Sequence, residues 1–244
     1  MISSVKTAFL LSLLFVVSSS LAQDKKTEPK EFDIIHASLL YPQTPKLRRI
    51  KVAVLVQKFK FPEAWLEGSY HVPFLNVQGR MGLKKNFTAQ VSLGTIVVSN
   101  QLSVGFRWNK QFDDKFSFNV GYDLAGVLGG LVQSGFDTRV AATIHNPNAA
   151  FGYRYKDIAF TLKGELSIVA RVKIRTGENV VSDEKNFYNG FGVGLYMEQR
   201  LWKDNVIILG LKNHYVKFDY IAWPAFSTFN RYYNVPEISI GLVL

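Results

Sequence analysis

The chain of 244 residues contains no cysteine and only four histidines. Without cysteine, disulfide bonds, thiol nucleophiles and cysteine-ligated metal sites are all excluded. After the first 22 residues, no stretch approaches the roughly 18 consecutive apolar residues of a membrane-spanning helix. The rest of the chain could therefore cross a membrane only as β-strands, which need about 9–11 residues with every second one apolar.

The N-terminus has the three parts of a secretory signal peptide. Lys6 supplies a basic start, Ala8–Val17 is an apolar stretch, and small residues precede a cleavage site at Gln23. The apolar stretch has ten residues, whereas a spanning anchor needs roughly 20. We therefore predict that residues 1–22 are removed on export.

From residue 70 onward, apolar and polar residues alternate with the period of two that is typical of β-strands. The longest alternating run, Ile158–Arg175, has 18 residues and would extend over about 60 Å at roughly 3.3 Å per residue. Strands of soluble proteins usually have about 3–10 residues. The run is typical of a tilted membrane strand that continues beyond the bilayer.

We predict an all-β fold, an antiparallel transmembrane β-barrel of about ten strands over residues 70–244. The predicted strands are 73–83, 86–98, 101–111, 115–127, 136–145, 149–156, 158–175, 187–201, 205–219 and 234–244. The two long connections, 176–186 and 220–233, fall on the same side of such a barrel. Residues 23–69 are expected to form a leader, a periplasmic segment, or an extra hairpin that would raise the number of strands to twelve.

The pattern resembles Gram-negative outer-membrane β-barrel proteins over residues 70–244. The final strand, Glu237–Leu244, alternates as their C-terminal assembly signal does, although Leu244 stands where an aromatic residue is usual. The SLA sequence before Gln23 resembles exported proteins of Bacteroidota. The resemblance implies a place in the cell outer membrane, contact with outer-membrane lipid and lipopolysaccharide, and insertion by the barrel-assembly machinery.

A soluble secreted β-barrel carrier is the alternative fold, because its strands also alternate. In a soluble barrel the apolar phase points inward, whereas in a membrane barrel it faces lipid. The polar phase here is rich in Gly, Ser, Thr, Asn and Gln, which favours a crowded interior over a solvated surface. We therefore prefer the membrane barrel.

The polar phase predicts a basic lumen. It carries eleven cations and five anions, namely Arg80, Arg107, Arg139, Arg154, Lys156, Lys163, Arg171, Lys173, Arg175, Arg200 and Lys212 against Asp123, Asp137, Glu165, Glu198 and Glu237. The candidate lumen residues are Arg80, Arg107, Asp123, Asp137, Arg139, Lys163, Glu165, Arg171, Glu198 and Arg200. An open lumen of this charge would favour small anionic solutes. A barrel of this size, however, is close to the size that side chains fill completely.

The expected function is a small outer-membrane barrel with a structural or adhesive role, or a narrow anion-favouring pore. An outer-membrane lipid-modifying hydrolase or acyltransferase is the alternative. His145 and Asp137 share a phase but are eight residues apart, about 26 Å along a strand, whereas catalytic partners must lie within about 3 Å. The sequence has no metal-ligand spacing, and Asn189–Gly194 leads into a strand and not the helix of a phosphate loop. We predict no cofactor, no metal and no nucleic-acid partner.

Overall fold

The computed structural model describes residues 33–60, 71–96, 98–133, 136–202, 205–221, 223 and 230–244. Within these residues, ten antiparallel strands close into a barrel in which β1 pairs with β10. The strands are β1 (Ile50–Lys60), β2 (His71–Gly82), β3 (Phe87–Thr95), β4 (Ser99–Gln111), β5 (Phe116–Gln133), β6 (Phe136–Tyr155), β7 (Ile158–Thr176), β8 (Asn179–Trp202), β9 (Asn205–Val216) and β10 (Tyr233–Val243). A short helix, α1 (Ile34–Ala37), precedes β1.

The fold class and the number of strands confirm the prediction, but several of the predicted boundaries were wrong. The barrel begins at Ile50 and not at residue 70. The strands predicted at 136–145 and 149–156 form one strand, β6. Pro147 suggested a turn, yet it keeps its pairing with Tyr122 of β5 and only interrupts the pairing with β7, whose register is the same on both sides of the gap. The predicted signal peptide, residues 1–22, lies outside the described residues. The described residues contain no helix that is long and apolar enough to cross a membrane.

Apolar side chains face away from the barrel axis and form a continuous belt. On β7 the outward residues run from Ile158 to Ile168, with Leu162 and Leu166 about half exposed. This interval is about 33 Å along the strand, or roughly 25 Å at a strand tilt near 40°, which is the height of an outer-membrane apolar band. The apolar phase therefore faces lipid. The barrel is an outer-membrane barrel, and the soluble-carrier alternative was wrong.

The two ends of the barrel differ in the lengths of their connections. At the end where the chain enters β1, the connections are short: 83–86, 112–115, 156–157 and 203–204. The longest connection, 217–232 between β9 and β10, is at the other end. Outer-membrane barrels have short periplasmic turns and longer external loops, so the first end faces the periplasm. Residues 33–49 enter the periplasmic end and are called the plug; residues 217–221 and 223 enter the external end and are called the lid.

The strands β5 to β8 continue beyond the belt at the external end. This outer sheet consists of residues 125–133, 136–144, 169–176 and 179–189 of those four strands. The long connection predicted at 176–186 is instead part of a β-hairpin that turns at Gly177 and Glu178. Gly177 has a φ of +58°, which glycine adopts without steric cost.

A β-bulge reverses the polarity of β7 where the outer sheet begins. Thr143 of β6 pairs with Arg171 while Ile144 pairs with Val169, so Ala170 is an extra residue. An extra residue shifts all later side chains to the opposite face. Arg171 consequently faces outward, and Val172, which follows it, is fully buried inside. Within the membrane the interior is polar, whereas inside the outer sheet it is apolar.

Candidate functional site: a closed polar chamber inside the barrel

The barrel encloses a polar cavity of about 170 Å³, called the chamber. Leu39 and Leu40 of the plug line its floor, and Phe218, Asp219 and Tyr220 of the lid line its roof. Small-molecule pockets usually measure about 300–1,000 Å³. The chamber is therefore too small for a drug-sized ligand, and the chain itself closes it on both sides.

A buried carboxylate on the barrel wall binds the backbone of the plug. Oε1 of Glu198 accepts from the backbone N–H of Leu39 at 2.6 Å and of Leu40 at 3.1 Å. Oε2 accepts from Leu40 at 3.1 Å and from Tyr41 at 2.8 Å. Glu198 is fully buried. Its charge is therefore compensated by three successive amides, in the manner of an anion bound by backbone N–H groups.

Two buried cations bind the carbonyl groups of the same segment. Arg80 donates to the carbonyl of Leu39 at 2.8 Å and of Tyr41 at 2.6 Å. Lys51 donates to the carbonyl of Ser38 at 2.7 Å. The plug has almost no regular structure of its own, so these wall residues satisfy backbone groups that would otherwise be buried without partners.

The plug also carries apolar side chains into the barrel. Ile34, Leu39 and Tyr41 are almost completely buried. The Tyr41 hydroxyl donates to the carbonyl of Lys115 at 3.0 Å, and burial raises the pKa of this phenol. Helix α1 begins at Asp33, whose side chain accepts from the N–H groups of Ile35 and His36 as an N-cap.

An arginine–aspartate pair crosses one side of the chamber. The Arg107 guanidinium lies 2.7 Å from the Asp123 carboxylate, and both side chains are nearly buried. Asn148 donates to the same carboxylate at 2.9 Å, and Gln90 accepts from Arg107. Gly105 is required beneath this pair, because a Cβ there would collide with the Asp123 carboxylate. The two charges neutralise each other within the wall.

The opposite side of the chamber holds a carboxylate between two ammonium groups. Glu165 is 2.5 Å from the Lys212 Nζ and 3.0 Å from the Lys163 Nζ. Nearby, His214 Nε2 lies 3.0 Å from Glu237 Oε2. Gln57 donates to the other Glu237 oxygen. All of these side chains are wholly or mostly buried, and each carboxylate has at least two partners.

Hydrogen bonds to the barrel wall fix the lid. Asn189 accepts from the Phe218 N–H at 2.7 Å and donates to the Phe218 carbonyl at 2.9 Å. Ser99 donates to the Tyr220 carbonyl at 2.6 Å. Ile221 and Trp223 are almost fully buried in an apolar cluster with inward residues of the outer sheet. These two lid residues are therefore as deeply buried as the core residues of the outer sheet.

One ionisable group of the lid is buried in the chamber roof. Burial raises the pKa of Asp219, while the nearby His214 and Lys212 lower it and Glu237 raises it. The Asp219 carboxylate also accepts from the Ile221 N–H at 2.9 Å. Burial raises the pKa of the neighbouring Tyr220 as well. Burial in the closed lid therefore opposes the ionisation of Asp219.

The predicted basic surplus of the lumen was wrong. Among the described residues that line the chamber, four basic side chains face four acidic ones, namely Arg80, Arg107, Lys163 and Lys212 against Asp123, Glu165, Asp219 and Glu237. The other seven predicted cations lie outside the chamber. The prediction assumed that the same alternation continues to the end of each strand. Beyond the belt, bulges and the loss of contact with lipid change which face is polar.

Six of the ten candidate site residues lie inside the barrel and four do not. Arg80, Arg107, Asp123, Lys163, Glu165 and Glu198 face the interior. Asp137 and Arg139 face outward on the outer sheet, where they form an ion pair of 3.1 Å. Arg171 faces outward because of the bulge at Ala170 and pairs with Asp183 at 2.7 Å. Arg200 shares the phase of Glu198 but is exposed near the end of β8.

Sequence reasoning missed Lys51, Gln57 and the whole lid. Lys51 and Gln57 share the inward phase of β1 with Ala53 and Leu55, but this strand lay in the segment that the prediction did not assign to the barrel. The inward folding of Phe218 and Trp223 had no periodic signal, because the lid is irregular. His214, which shares the phase of Lys212 on β9, also faces the interior, where it contacts Glu237.

The described residues offer little for catalysis or metal binding. No group of three His, Cys, Asp or Glu side chains that could hold a metal ion occurs among them. His145 contacts the Tyr122 hydroxyl on the outward face, and His214 contacts Glu237. Neither histidine forms a hydrogen bond with a serine in the described part of the chain. The arrangement binds chain segments and balances charge.

No protein-family model and no curated protein sequence matches this chain. Solved structures of Gram-negative outer-membrane β-barrels are similar to it. Neisserial surface protein A is 13% identical with a TM-score of 0.36, covering 80% of this chain and 96% of that one. The translocator domain of the autotransporter NalP from Neisseria meningitidis is 10% identical with a TM-score of 0.42, covering 99% and 96%. The NanC porin is 9% identical with a TM-score of 0.43, covering 78% and 98%.

Proposed function

We propose that this outer-membrane barrel has an adhesive role at the cell surface, with the outer sheet as its contacting element. The observation that carries the proposal is that the lumen is closed at both ends while one part of the barrel wall projects beyond the membrane. Plug and lid fill the two ends of the lumen, while the strands β5 to β8 continue outward. From Ile168 to Thr176 the strand advances about 26 Å, or roughly 20 Å above the belt at a tilt near 40°.

The tip of the outer sheet exposes apolar side chains to water. Val180 and Val181 of β8 are 49% and 62% exposed, and Val132 of β5 is 73% exposed. These residues lie above the belt, so lipid does not cover them. Exposed apolar side chains beside charged ones are typical of protein contact surfaces when they are grouped. We expect these exposed valines to contact a protein on another cell.

Adhesion of bacteria that display the protein to cultured epithelial cells tests the proposal. The variant Val180→Asn/Val181→Asn is expected to abolish most of the protein-dependent adhesion. The matched control, Leu47→Asn/Ile50→Asn, changes two apolar residues that are 55% and 65% exposed at the periplasmic end and should adhere like the wild type. Equal adhesion of the wild type and a strain without the protein would contradict the adhesive role.

A gated passage for small polar solutes is the second candidate, because the chamber itself is polar. Balanced charge gives it no reason to prefer anions. Liposome swelling in the presence of small sugars tests this function. Liposomes that contain the wild type should swell no faster than liposomes without protein. If the barrel is a gated passage, a protein with both plug and lid released should make the liposomes swell faster.

The partners implied by the resemblance remain part of the proposal. Outer-membrane lipid and lipopolysaccharide would contact the belt, and the barrel-assembly machinery would recognise the last strand. In that strand Ile238 and Ile240 face outward as expected. An origin in Bacteroidota stays a prediction, because Gln23 lies outside the described residues.

A further inference from the structure

Five cations share the outward face of the outer sheet. Arg139 of β6, then Arg171, Lys173 and Arg175 of β7, and Lys185 of β8 form this basic face. The register places Arg139 beside Arg175 and Arg171 beside Lys185. Opposite residues of paired strands have Cβ atoms about 4.5–5.5 Å apart, and successive residues on one face of a strand are about 6.6 Å apart. The five charges therefore form a single compact surface.

The basic face keeps a positive charge after its internal ion pairs are counted. Arg171 pairs with Asp183 and Arg139 with Asp137. In the described part of the chain, Lys173, Arg175 and Lys185 have no ion-pair partner. Glu184 belongs to the opposite phase, paired with the buried Val172, and Glu178 lies in the hairpin turn. The outward surface has five cations and two anions, a surplus of three.

The position of the basic face relative to the belt identifies its ligand. Ile168 and His145 are paired at the upper border of the belt, and Arg171 is the next outward residue of β7 above them. The aromatic residues Tyr188 and Phe191 lie at the same border on β8 and are each more than 40% exposed. Cations that follow directly above an aromatic border lie at the level of lipid headgroups.

We propose that the basic face binds the phosphate groups of anionic lipids in the outer leaflet of the same membrane. The side chains point sideways from the barrel wall and not upward along its axis, so their nearest neighbours are headgroups beside the barrel. Arginine offers two parallel N–H donors to a phosphate, and lysine adds a compact charge. The bulge at Ala170 is what turns Arg171, Lys173 and Arg175 out of the lumen. The inference does not depend on the adhesive role.

Native mass spectrometry tests the proposal by measuring how much purified lipopolysaccharide the full-length protein retains in detergent micelles. The variant Lys173→Gln/Arg175→Gln/Lys185→Gln is expected to lose roughly fivefold in affinity for each cation, on the order of a hundredfold in total. The control Lys46→Gln/Lys84→Gln/Lys110→Gln removes the same charge at the periplasmic end and should bind like the wild type. Equal loss in both variants would overturn a specific site.

A further variant and two further ligands distinguish the proposal from alternative explanations. Asp183→Asn adds net positive charge to the face and is expected to raise retention about fivefold, which keeps the test valid if the triple variant folds poorly. Lipopolysaccharide stripped of its phosphates should not be retained. If a soluble sulfated polysaccharide without acyl chains binds as tightly as lipopolysaccharide, the commitment to a lipid is wrong. Unchanged retention by the triple variant would refute the basic face altogether.

Discussion

Replacement of Glu198 by glutamine should release the plug without unfolding the barrel. The carboxylate makes four contacts with the N–H groups of Leu39, Leu40 and Tyr41. Glutamine keeps one oxygen of similar position but loses the charge, and its NH₂ group faces amide donors. Hydrogen bonds to charged groups contribute about 1.5–3 kcal/mol each. Loss of one such bond and weakening of the others should destabilise the docked plug by about 2–4 kcal/mol, or roughly 30-fold to 1,000-fold in its opening equilibrium.

Amide hydrogen exchange of the full-length protein in micelles measures this effect directly. In the wild type the amides of residues 39–41 should be strongly protected, and in Glu198→Gln their exchange should accelerate by the factor given above. The Phe218 amide, which Asn189 binds at the other end, should be unaffected. Glu184→Gln, on the exposed part of β8, is the matched control. Unchanged exchange at residues 39–41 in Glu198→Gln would refute the carboxylate as the plug's anchor.

Further predictions concern the lid, the chamber and the belt. Trp223→Ala should destabilise the closed lid by about 3–5 kcal/mol, seen as faster exchange of the Phe218 amide with little change at the plug. Arg107→Leu leaves the buried Asp123 charge unpaired and should lower the free energy of unfolding by about 3–5 kcal/mol, measured by heat-modifiable gel migration across a urea series. Because the pKa of Asp219 is raised in the folded state, the lid should be most stable below the ordinary carboxyl pKa and lose stability as pH rises toward the raised value. Asp219→Asn should remove that dependence from lid exchange when the two proteins are compared at each pH. Leu162→Arg at mid-belt should reduce folding stability by about 2–4 kcal/mol in lipid, and equal stability would argue against a lipid-facing Leu162.

Much of the barrel could be predicted because lipid imposes a strict period of two. The apolar phase of β7, which includes Leu162 and Leu166, was assigned to lipid and Lys163 and Glu165 to the lumen. In the structure both leucines are exposed on the outer face, and Lys163 and Glu165 line the chamber. Along that part of β7 one face contacts lipid and the other contacts polar side chains. Apolar residues therefore indicate the lipid side, and polar residues indicate the lumen. The same alternation correctly placed Ile238 and Ile240 of β10.

The prediction failed where the surroundings of the strands change. Above the belt, the outward face of the outer sheet is charged and its interior is apolar, so the polar phase no longer marks the lumen. The single extra residue, Ala170, then reversed the side of Arg171, and no local sequence signal identifies a bulge of this kind. Pro147 was interpreted as a turn because the sequence does not distinguish two short strands from one long strand whose hydrogen-bonded pairing is interrupted at a proline.

Plug and lid could not have been predicted from periodicity, because neither has regular structure over most of its length. Their placement depends on long-range contacts, such as Glu198 with residues 39–41 and Asn189 with Phe218. The polar residues of the wall were visible in the sequence, but their partners are backbone groups, which every residue carries. The charge balance of the chamber follows from the same contacts and was therefore also missed.

The conductance of single wild-type molecules in planar lipid bilayers tests the central claim, a lipid-embedded barrel that its own chain closes at both ends. Insertion is verified first, by heat-modifiable migration of the same preparation. The account predicts that correctly folded, inserted protein gives no stable conductance steps at neutral pH. Steady, reproducible steps from the wild type would show an open path through the chamber and contradict closure by the plug and the lid.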